Sequence, residues 1–468
     1  MTGTVGDTGL RELRNAVTGR VLLPDDAGYD DARVLFNAMV TARPAVIVQC
    51  AGVEDVRAAI AYGRESGLPT AVRSGGHSVA GASTVDGGLV VDVRALKGVA
   101  VDPEARTARC GAGVTWGEFD LATQEHGLAT TGGRVSTTGV SGLTLGGGSG
   151  WLERKHGLSC DNLRAVELVT ADGEHVRASA EERADLFWAL HGGGGNFGVA
   201  TALEFDLHPL GPNVLAGLML WPAERGQELV ELARATIEGG APDDLALAVV
   251  YLTGPPEAFV PAELQGRRCA GLALLWAGEQ LREGLAYAEA FRLLSPAVDL
   301  VGEMPYVEFQ RMIDDPPGLR NWWTADYLDG LSDDAVGQFV RGSEAMPVPS
   351  ASQSILFPWG GAIARVGAAQ TPMAKREATW VVHPFALWEE ASDDEAVIGW
   401  ARGMSAGMKP FASGGVYLNF IGDEGRDRVR AAFGDNYERL ARVKGAYDPD
   451  NFFRFNQNVE PARVTGVG

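Results

Sequence analysis

Lysine is scarce in this chain of 468 residues. Five of its 40 basic side chains are lysine (Lys97, Lys155, Lys375, Lys409 and Lys444), a bias that fits a GC-rich genome and says nothing of mechanism. Cysteine is scarcer still: Cys50, Cys110, Cys160 and Cys269 stand far apart with no CxxC pair. Their spacing excludes a zinc finger or a disulfide framework. Positive charge is outweighed by 61 acidic residues, for a formal net charge of −21. Such a chain repels phosphate backbones, so neither nucleic acid nor an anionic membrane is an expected partner. No apolar run reaches the ~18 residues of a membrane span, and the opening MTGTVGDTGLRELRNAV has no apolar core or twin arginine. The expectation is therefore no signal peptide and a cytoplasmic protein. Repeats, GxSxG, HExxH and a P-loop are missing too. His156, His191 and His208 make no metal-ligand spacing with His77, so no metal is expected.

What is abundant is glycine, 62 residues, well above the usual ~7%. Hydrophobic residues at 46% and charged residues at 22% are ordinary globular composition, and the length predicts two or three domains. Residues 45–49 (AVIVQ) read as a strand. Val56, Ala59, Ile60 and Gly63 then share one helix face, and PTAVRSGGHS reads as a second strand entering a glycine turn. Residues 165–178 predict a hairpin turning at Asp172–Gly173. The character changes near residues 210–212. From 213 to 415, helices predicted at 226–238, 279–293 and 333–345 alternate with strands predicted at 245–252, 269–276, 353–359 and 378–385. That pattern predicts an antiparallel sheet covered by helices.

Three glycine clusters stand out. Residues 73–78 (RSGGHS) follow a strand; glycines there let backbone N–H groups cradle a diphosphate, though a plain tight turn needs the same residues. Residues 132–150 (GGRVSTTGVSGLTLGGGSG) interleave glycine with hydroxyls, a density at which no helix is expected and against which a flat ligand could lie. Residues 192–198 (GGGGNFG) are, alone, only a loop. A dinucleotide fingerprint at the first strand-to-helix turn is missing.

Taken together, RSGGHSVAG (73–81), VSTTGVSGLTLGGGSGWLERKHGLSCDN (135–162), DLFWALHGGGGNFGV (185–199), PWGGAIARV (358–366), VYLNF (416–420) and YDPDNFFRFNQNV (447–459) resemble the berberine-bridge-enzyme-like branch of the vanillyl-alcohol-oxidase family of FAD-linked oxidases, in family order and across nearly the whole chain. The resemblance implies an α+β, two-domain PCMH-type FAD-binding fold. The FAD domain would span 1–208, the substrate domain 209–415, and a C-terminal return 416–468 would complete the FAD domain. It implies FAD contacts from Arg73, Ser74, Gly75, Gly76, His77, Ser78, Gly81, Val135, Thr137, Thr138, Gly139, Gly142, Gly146, Gly147, Gly148, Asn196, Val199, Asn456 and Asn458. His77 matches the histidine that relatives bond covalently to the flavin 8α-methyl. Where some relatives add a cysteinyl link, this chain has Val135, so one covalent link is expected, as in singly linked bacterial members. Cys160 lies downstream of that position and reads as a buried thiol.

The resemblance also implies the reaction: hydride leaves a C–H next to OH or NH for flavin N5, and O2 reoxidises the flavin to give H2O2. Tyr417 and Asn419 match the family's Tyr-x-Asn strand, with Tyr417 the expected base. A phenol of pKa ~10 then needs a cationic or hydrogen-bonding neighbour, for which Arg365 is one candidate. Arg365 stands where alkaloid-cyclising relatives carry an acid, so ring closure is not expected; it binds substrate or faces solvent. Tyr251, Trp276, Trp322, Trp323, Tyr327 and Trp359 are candidate pocket walls, two or three of which would line the site while the others are core. The expected substrate is a small organic or secondary-metabolite alcohol or amine. A dehydrogenase with another electron acceptor, a carbohydrate oxidase and a non-enzymatic flavoprotein are the alternatives. A monomer or homodimer is expected.

Overall fold

The short runs of β-branched residues in the first two hundred positions form two small sheets. In the computed structural model, which describes residues 7–462, strands Arg20–Leu22, Val46–Gln49, Leu89–Asp92 and Thr70–Arg73 make the first, in that spatial order. The last three run parallel. Helix Val53–Ser66 links two of them and buries Val56, Ala59, Ile60 and Gly63, the face the periodicity predicts. It ends at Gly67, whose φ of 65° is the left-handed C-terminal cap that glycine adopts without strain. The loop of residues 74–78 leaves the carboxyl end of Thr70–Arg73. A second, antiparallel sheet orders Val99–Asp102, Thr107–Gly111, Val199–Asp206, Leu163–Val169 and His175–Ser179. Helix Trp116–Gln124 packs beside it and begins with a capping box, Thr115 and Glu118 each satisfying the other's backbone N–H.

Downstream, a nine-stranded sheet dominates. Seven strands follow the order Val298–Asp299, Asn213–Pro222, Arg268–Trp276, Leu245–Thr253, Gln353–Pro358, Trp380–Trp388, Arg320–Trp323; Gly302–Pro305 and Asp326–Leu328 pair beside this path. Helices Gly226–Glu238, Leu281–Arg292, Asp333–Glu344 and Asp394–Met408 share one core with one face of it. The opposite face is continuous with the core of the glycine-rich unit. Alternation decides which residue faces where: Leu245, Leu247, Val249 and Tyr251 pack under the helices, while Ala246 and Ala248 face the other unit. The molecule is thus an α+β, two-domain fold of helices and largely antiparallel sheet.

Three local expectations change. Residues 132–150 do contain a helix, Val140–Leu145, because burial of Val140, Ser141, Thr144 and Leu145 outweighs the glycine penalty. Residues 425–443, which by sequence read as one helix, belong to two, Arg426–Phe433 and Tyr437–Tyr447, because Gly434 takes a positive φ (49°) between them. Residues 416–420 are not a strand: Tyr417 is extended and Leu418–Phe420 close a 3₁₀ turn.

Candidate active site

The glycine clusters place backbone where side chains would not fit. A Cβ on Gly139 would lie 2.4 Å from the Gly75 nitrogen, and one on Gly75 would lie 2.2 Å from the Gly139 nitrogen. The loops at 74–78 and 135–139 therefore touch backbone to backbone. His77 stands at this junction. Its Nε2 lies 2.9 Å from Thr137 Oγ1, its Nδ1 3.4 Å from Thr138 Oγ1, and its ring stacks on Phe36 at 4.1 Å. Burial pushes its pKa down to about 4, so the imidazole is neutral at physiological pH.

Further along the same glycine-rich stretch, Gly148 and Ser149 meet Tyr417. The N–H groups of Gly148 and Ser149 donate to Tyr417 Oη at 2.7 and 2.8 Å, and Asn419 Nδ2 donates at 2.9 Å. Asn419 Nδ2 also donates to the Leu143 carbonyl, which fixes the amide with its nitrogen toward the phenol. Among the described residues the phenol oxygen thus meets three donors and no acceptor, a socket that suits an anionic oxygen better than a neutral one. Burial acts against this and raises the phenol's pKa, while the Ser149, Asn419 and Gly148 donors lower it. The glycines again make room: a Cβ on Gly146 would meet Asn419 Oδ1 at 2.1 Å, and Gly147, at φ +118°, lies against the Tyr417 ring.

An aromatic belt joins the two ends. Tyr327 packs on Trp359, Trp359 on Tyr417, and Tyr417 edge-on to Phe420 at 4.6 Å. Phe420 stacks on His383 at 4.4 Å; His383 meets Trp323 edge-on, and Trp323 reaches Phe36 and so His77. His383 is neutral, its pKa pushed down to about 4 by burial. The indole N–H groups of Trp323 and Trp359 are buried without a partner.

Half of the six expected pocket aromatics are not here. Tyr251 and Trp276 point into the helix-side core, and Trp322 sits on that same side under Arg402. Strand parity is the reason: Trp322 and Trp323 are consecutive, so the pleat sends them to opposite faces. Arg365 is also elsewhere. Its side chain is 61% exposed and pairs with Asp243 at 2.5 Å, so it does not supply a cation beside Tyr417. Arg73 turns inward to the Ala32 and Val34 carbonyls, and the Ser74 hydroxyl donates to the Ala112 carbonyl. Their side chains hold the loop in place and do not line it.

Asn196 spends its amide on Gly193, Gln457 and Val459, which ties the third glycine cluster to the C-terminal segment. Val199 is buried at the start of its strand, and a Cβ on Gly142 would meet open space. Asn456 and Asn458 each keep a buried, unpartnered Oδ1. Gly76 and Gly81 are left-handed, and Ser78 Oγ accepts the Ala82 N–H. Val135 closes the turn to Thr138. Cys160 is fully buried and its thiol pKa is raised well above normal by burial. Phe36, Arg134, Phe357, His383 and Phe420 were missed as site residues. Alternation along Trp380–Trp388 and the lone charge of residues 132–150 were signals for His383 and Arg134; Phe36 carried none.

Paired glycine loops with no room for Cβ atoms, a neutral histidine at their junction and unpartnered amide oxygens on the C-terminal segment fit FAD. The comparisons agree. Residues 44–179 match the family described as FAD binding domain, and residues 416–460 match Berberine and berberine like. The (R)-6-hydroxynicotine oxidase of Paenarthrobacter nicotinovorans is 31% identical over 470 residues, covering 95% of this chain and 97% of that protein. An uncharacterized FAD-linked oxidoreductase of Bacillus subtilis is 30% identical over 463 residues, covering 96% and 98%. The structure of 6-hydroxy-D-nicotine oxidase from Arthrobacter nicotinovorans superposes with a TM-score of 0.85 at 27% identity, over 95% of this chain and 98% of that one. A xylooligosaccharide oxidase from Myceliophthora thermophila shares the fold at a TM-score of 0.84 and 24% identity, over 97% and 100%. With its glycine loops, tyrosine socket and near full-length match to these relatives, the chain belongs to the berberine-bridge-enzyme-like family of FAD-dependent oxidases.

Proposed function

We propose that this enzyme oxidises a small, flat, largely apolar organic alcohol or amine at the C–H beside its OH or NH, with FAD held by one covalent link through His77. FAD, when bound, supplies the hydride acceptor and passes the electrons to O2 as H2O2. The observation that carries the substrate class is the belt from Tyr417 to His77. Its rings offer stacking surface, its histidines are neutral, and its two free indole N–H groups can donate to a substrate heteroatom. The 31% identity to a hydroxynicotine oxidase supports the same class.

Tyr417 is the proposed base. It takes the OH or NH proton while Gly148, Ser149 and Asn419 hold the charge on its oxygen. Neutral His77 keeps a lone pair on one ring nitrogen, the form a covalent link requires, while Thr137 and Thr138 orient the ring. Gly75, Gly76, Gly139 and Gly146 to Gly148 provide backbone approach. Asn456 and Asn458 offer free amide oxygens for the N–H groups of the flavin. Residues 1–208 with the return 416–468 are proposed as the FAD domain, and 209–415 as the substrate domain.

Acid precipitation followed by peptide mapping tests the link. A yellow pellet whose flavin peptide contains His77 alone supports it; a colourless pellet removes it, and a flavin on Cys160 overturns the single-link reading. Anaerobic mixing with flat aromatic amines and alcohols should bleach the flavin, and air should then restore it with peroxide. Bleaching by sugar oligomers alone would overturn the substrate class. Bleaching that air does not reverse would point to another electron acceptor.

A further inference from the structure

Arg134 is the one charged residue in the glycine-rich stretch 132–150, and two of its contacts, through Ser149 and through Phe357, lead to Tyr417. Its Nη1 donates to Ser149 Oγ at 2.7 Å. Its Nη2 donates to Glu153 at 2.7 Å and to the Gly150 carbonyl at 3.3 Å. The guanidinium lies 5.1 Å from the centre of the Trp151 ring and 4.7 Å from that of Phe357. Phe357 in turn packs edge-on against Phe420, the ring that abuts Tyr417. The side chain is 18% exposed, and Glu153, which also caps the Gly150 N–H, is 3% exposed.

We propose that Arg134 is a positioning residue that sets the acidity of Tyr417 by holding the Gly148–Ser149 amides on the phenol oxygen. This rests on the reading of Tyr417 as the base. The argument is mechanical. A stretch as rich in glycine as 146–150 has wide backbone freedom, so two N–H groups aimed at one oxygen need an external anchor. On one side Ser159 and Cys160 supply it: the Ser159 N–H donates to the Gly148 carbonyl and the Cys160 N–H to the Gly147 carbonyl, while the Ser159 hydroxyl ties this turn to the Thr131 carbonyl. On the other side the anchor is Arg134, which grips the side chain of Ser149 itself and the carbonyl of the next residue, Gly150. A planar fork presents a separate nitrogen to each group, whereas a lysine would have to reach both from a single ammonium. Burial raises the pKa of Tyr417, so any loosening of its donors leaves the phenol a weaker acid and slows proton removal at a given pH.

The test uses the holoenzyme and four variants: Arg134→Gln, Arg134→Lys, Ser149→Ala and Tyr417→Phe. The readouts are the pH dependence of anaerobic flavin bleaching and, without substrate, ultraviolet titration of tyrosinate taken as the difference from the same background carrying Tyr417→Phe. Arg134→Gln and Ser149→Ala should each move the limb on which rate rises with pH, and the tyrosinate midpoint, to higher pH by about one unit, a tenfold loss of rate on that limb. Arg134→Lys should shift both by less. Ser149→Ala keeps the backbone and leaves the ion pair with Glu153 intact, so it reports even if Arg134→Gln folds poorly. Equal loss of rate at every pH with an unmoved midpoint would overturn the proposal and leave Arg134 a structural cation. Full bleaching with an unchanged profile in Tyr417→Phe would instead overturn the base reading itself.

Discussion

At the scale of single residues, Tyr417 shows how little a residue's type says about its chemistry. A buried phenol with three N–H donors on its oxygen and, among the described residues, no acceptor for its proton is a different acid from a buried phenol without them. The Tyr-x-Asn spacing was legible in the sequence, and so was the need for a neighbour to stabilise the anion. The nature of that neighbour was not: backbone amides carry no signature in residue identity, and Arg365, the candidate the sequence offered, lies exposed on Asp243. Removing the hydroxyl should leave the flavin in place and cut the bleaching rate. Tyr417→Phe is expected to retain its flavin absorbance while losing about 10²–10⁴ in rate, the range for a general base, in rapid anaerobic mixing.

At the scale of elements, the strand pleat divides the six aromatic candidates. Residue type could nominate them, but the face each presents depends on which side of its strand meets the helices. Trp359 and Trp323 belong to the belt; Trp276 stacks on Tyr287 of a covering helix and donates to the Gln280 carbonyl. Trp359→Leu should therefore change KM and substrate preference as well as lower Tm, because that ring is fully buried too. Trp276→Leu should lower Tm and leave KM near that of the parent, the loss of a large buried ring costing about 3–5 kcal/mol. Steady-state kinetics beside a thermal melt separate the two. The glycine loops were more legible than the strands, because close backbone approach demands glycine itself. Gly139→Ala would place a methyl 2.4 Å from the Gly75 nitrogen. The expected result is a folded protein purified with little or no flavin, read from its visible absorbance.

At the scale of the whole molecule, two buried polar ties hold distant parts of the chain together. Lys444 and Asp448 are both fully buried. The lysine also donates to the Asn196 and Phe453 carbonyls, so the C-terminal return is fastened to the third glycine cluster. Lys444→Met leaves Asp448 an unpaired buried charge and should cost about 3–5 kcal/mol in denaturant unfolding. The second tie is Asp120, which accepts from Gln310 across the two units and whose pKa burial pushes up to about 7, against 3.8 for an ordinary aspartate. Between those values the folded protein keeps a proton that the unfolded chain has released. Stability should therefore fall as pH rises from about 4 to about 7. Asp120→Asn should flatten that part of the stability profile, and an unchanged slope would show that other groups set it.

The sequence by itself determined the glycine loops, the histidine between them, the Tyr-x-Asn pair and the alternation that builds the large sheet. These are local demands: a backbone that must approach closely, a pleat with a period of two, motifs whose order survives whatever lies between them. Tertiary structure alone decided which aromatics form the belt, which arginine stands near Tyr417, and that Phe36 stacks on His77. Those contacts join residues tens to hundreds of positions apart. They depend on how one face of the nine-stranded sheet meets the glycine-rich unit, a relation no local stretch of sequence encodes.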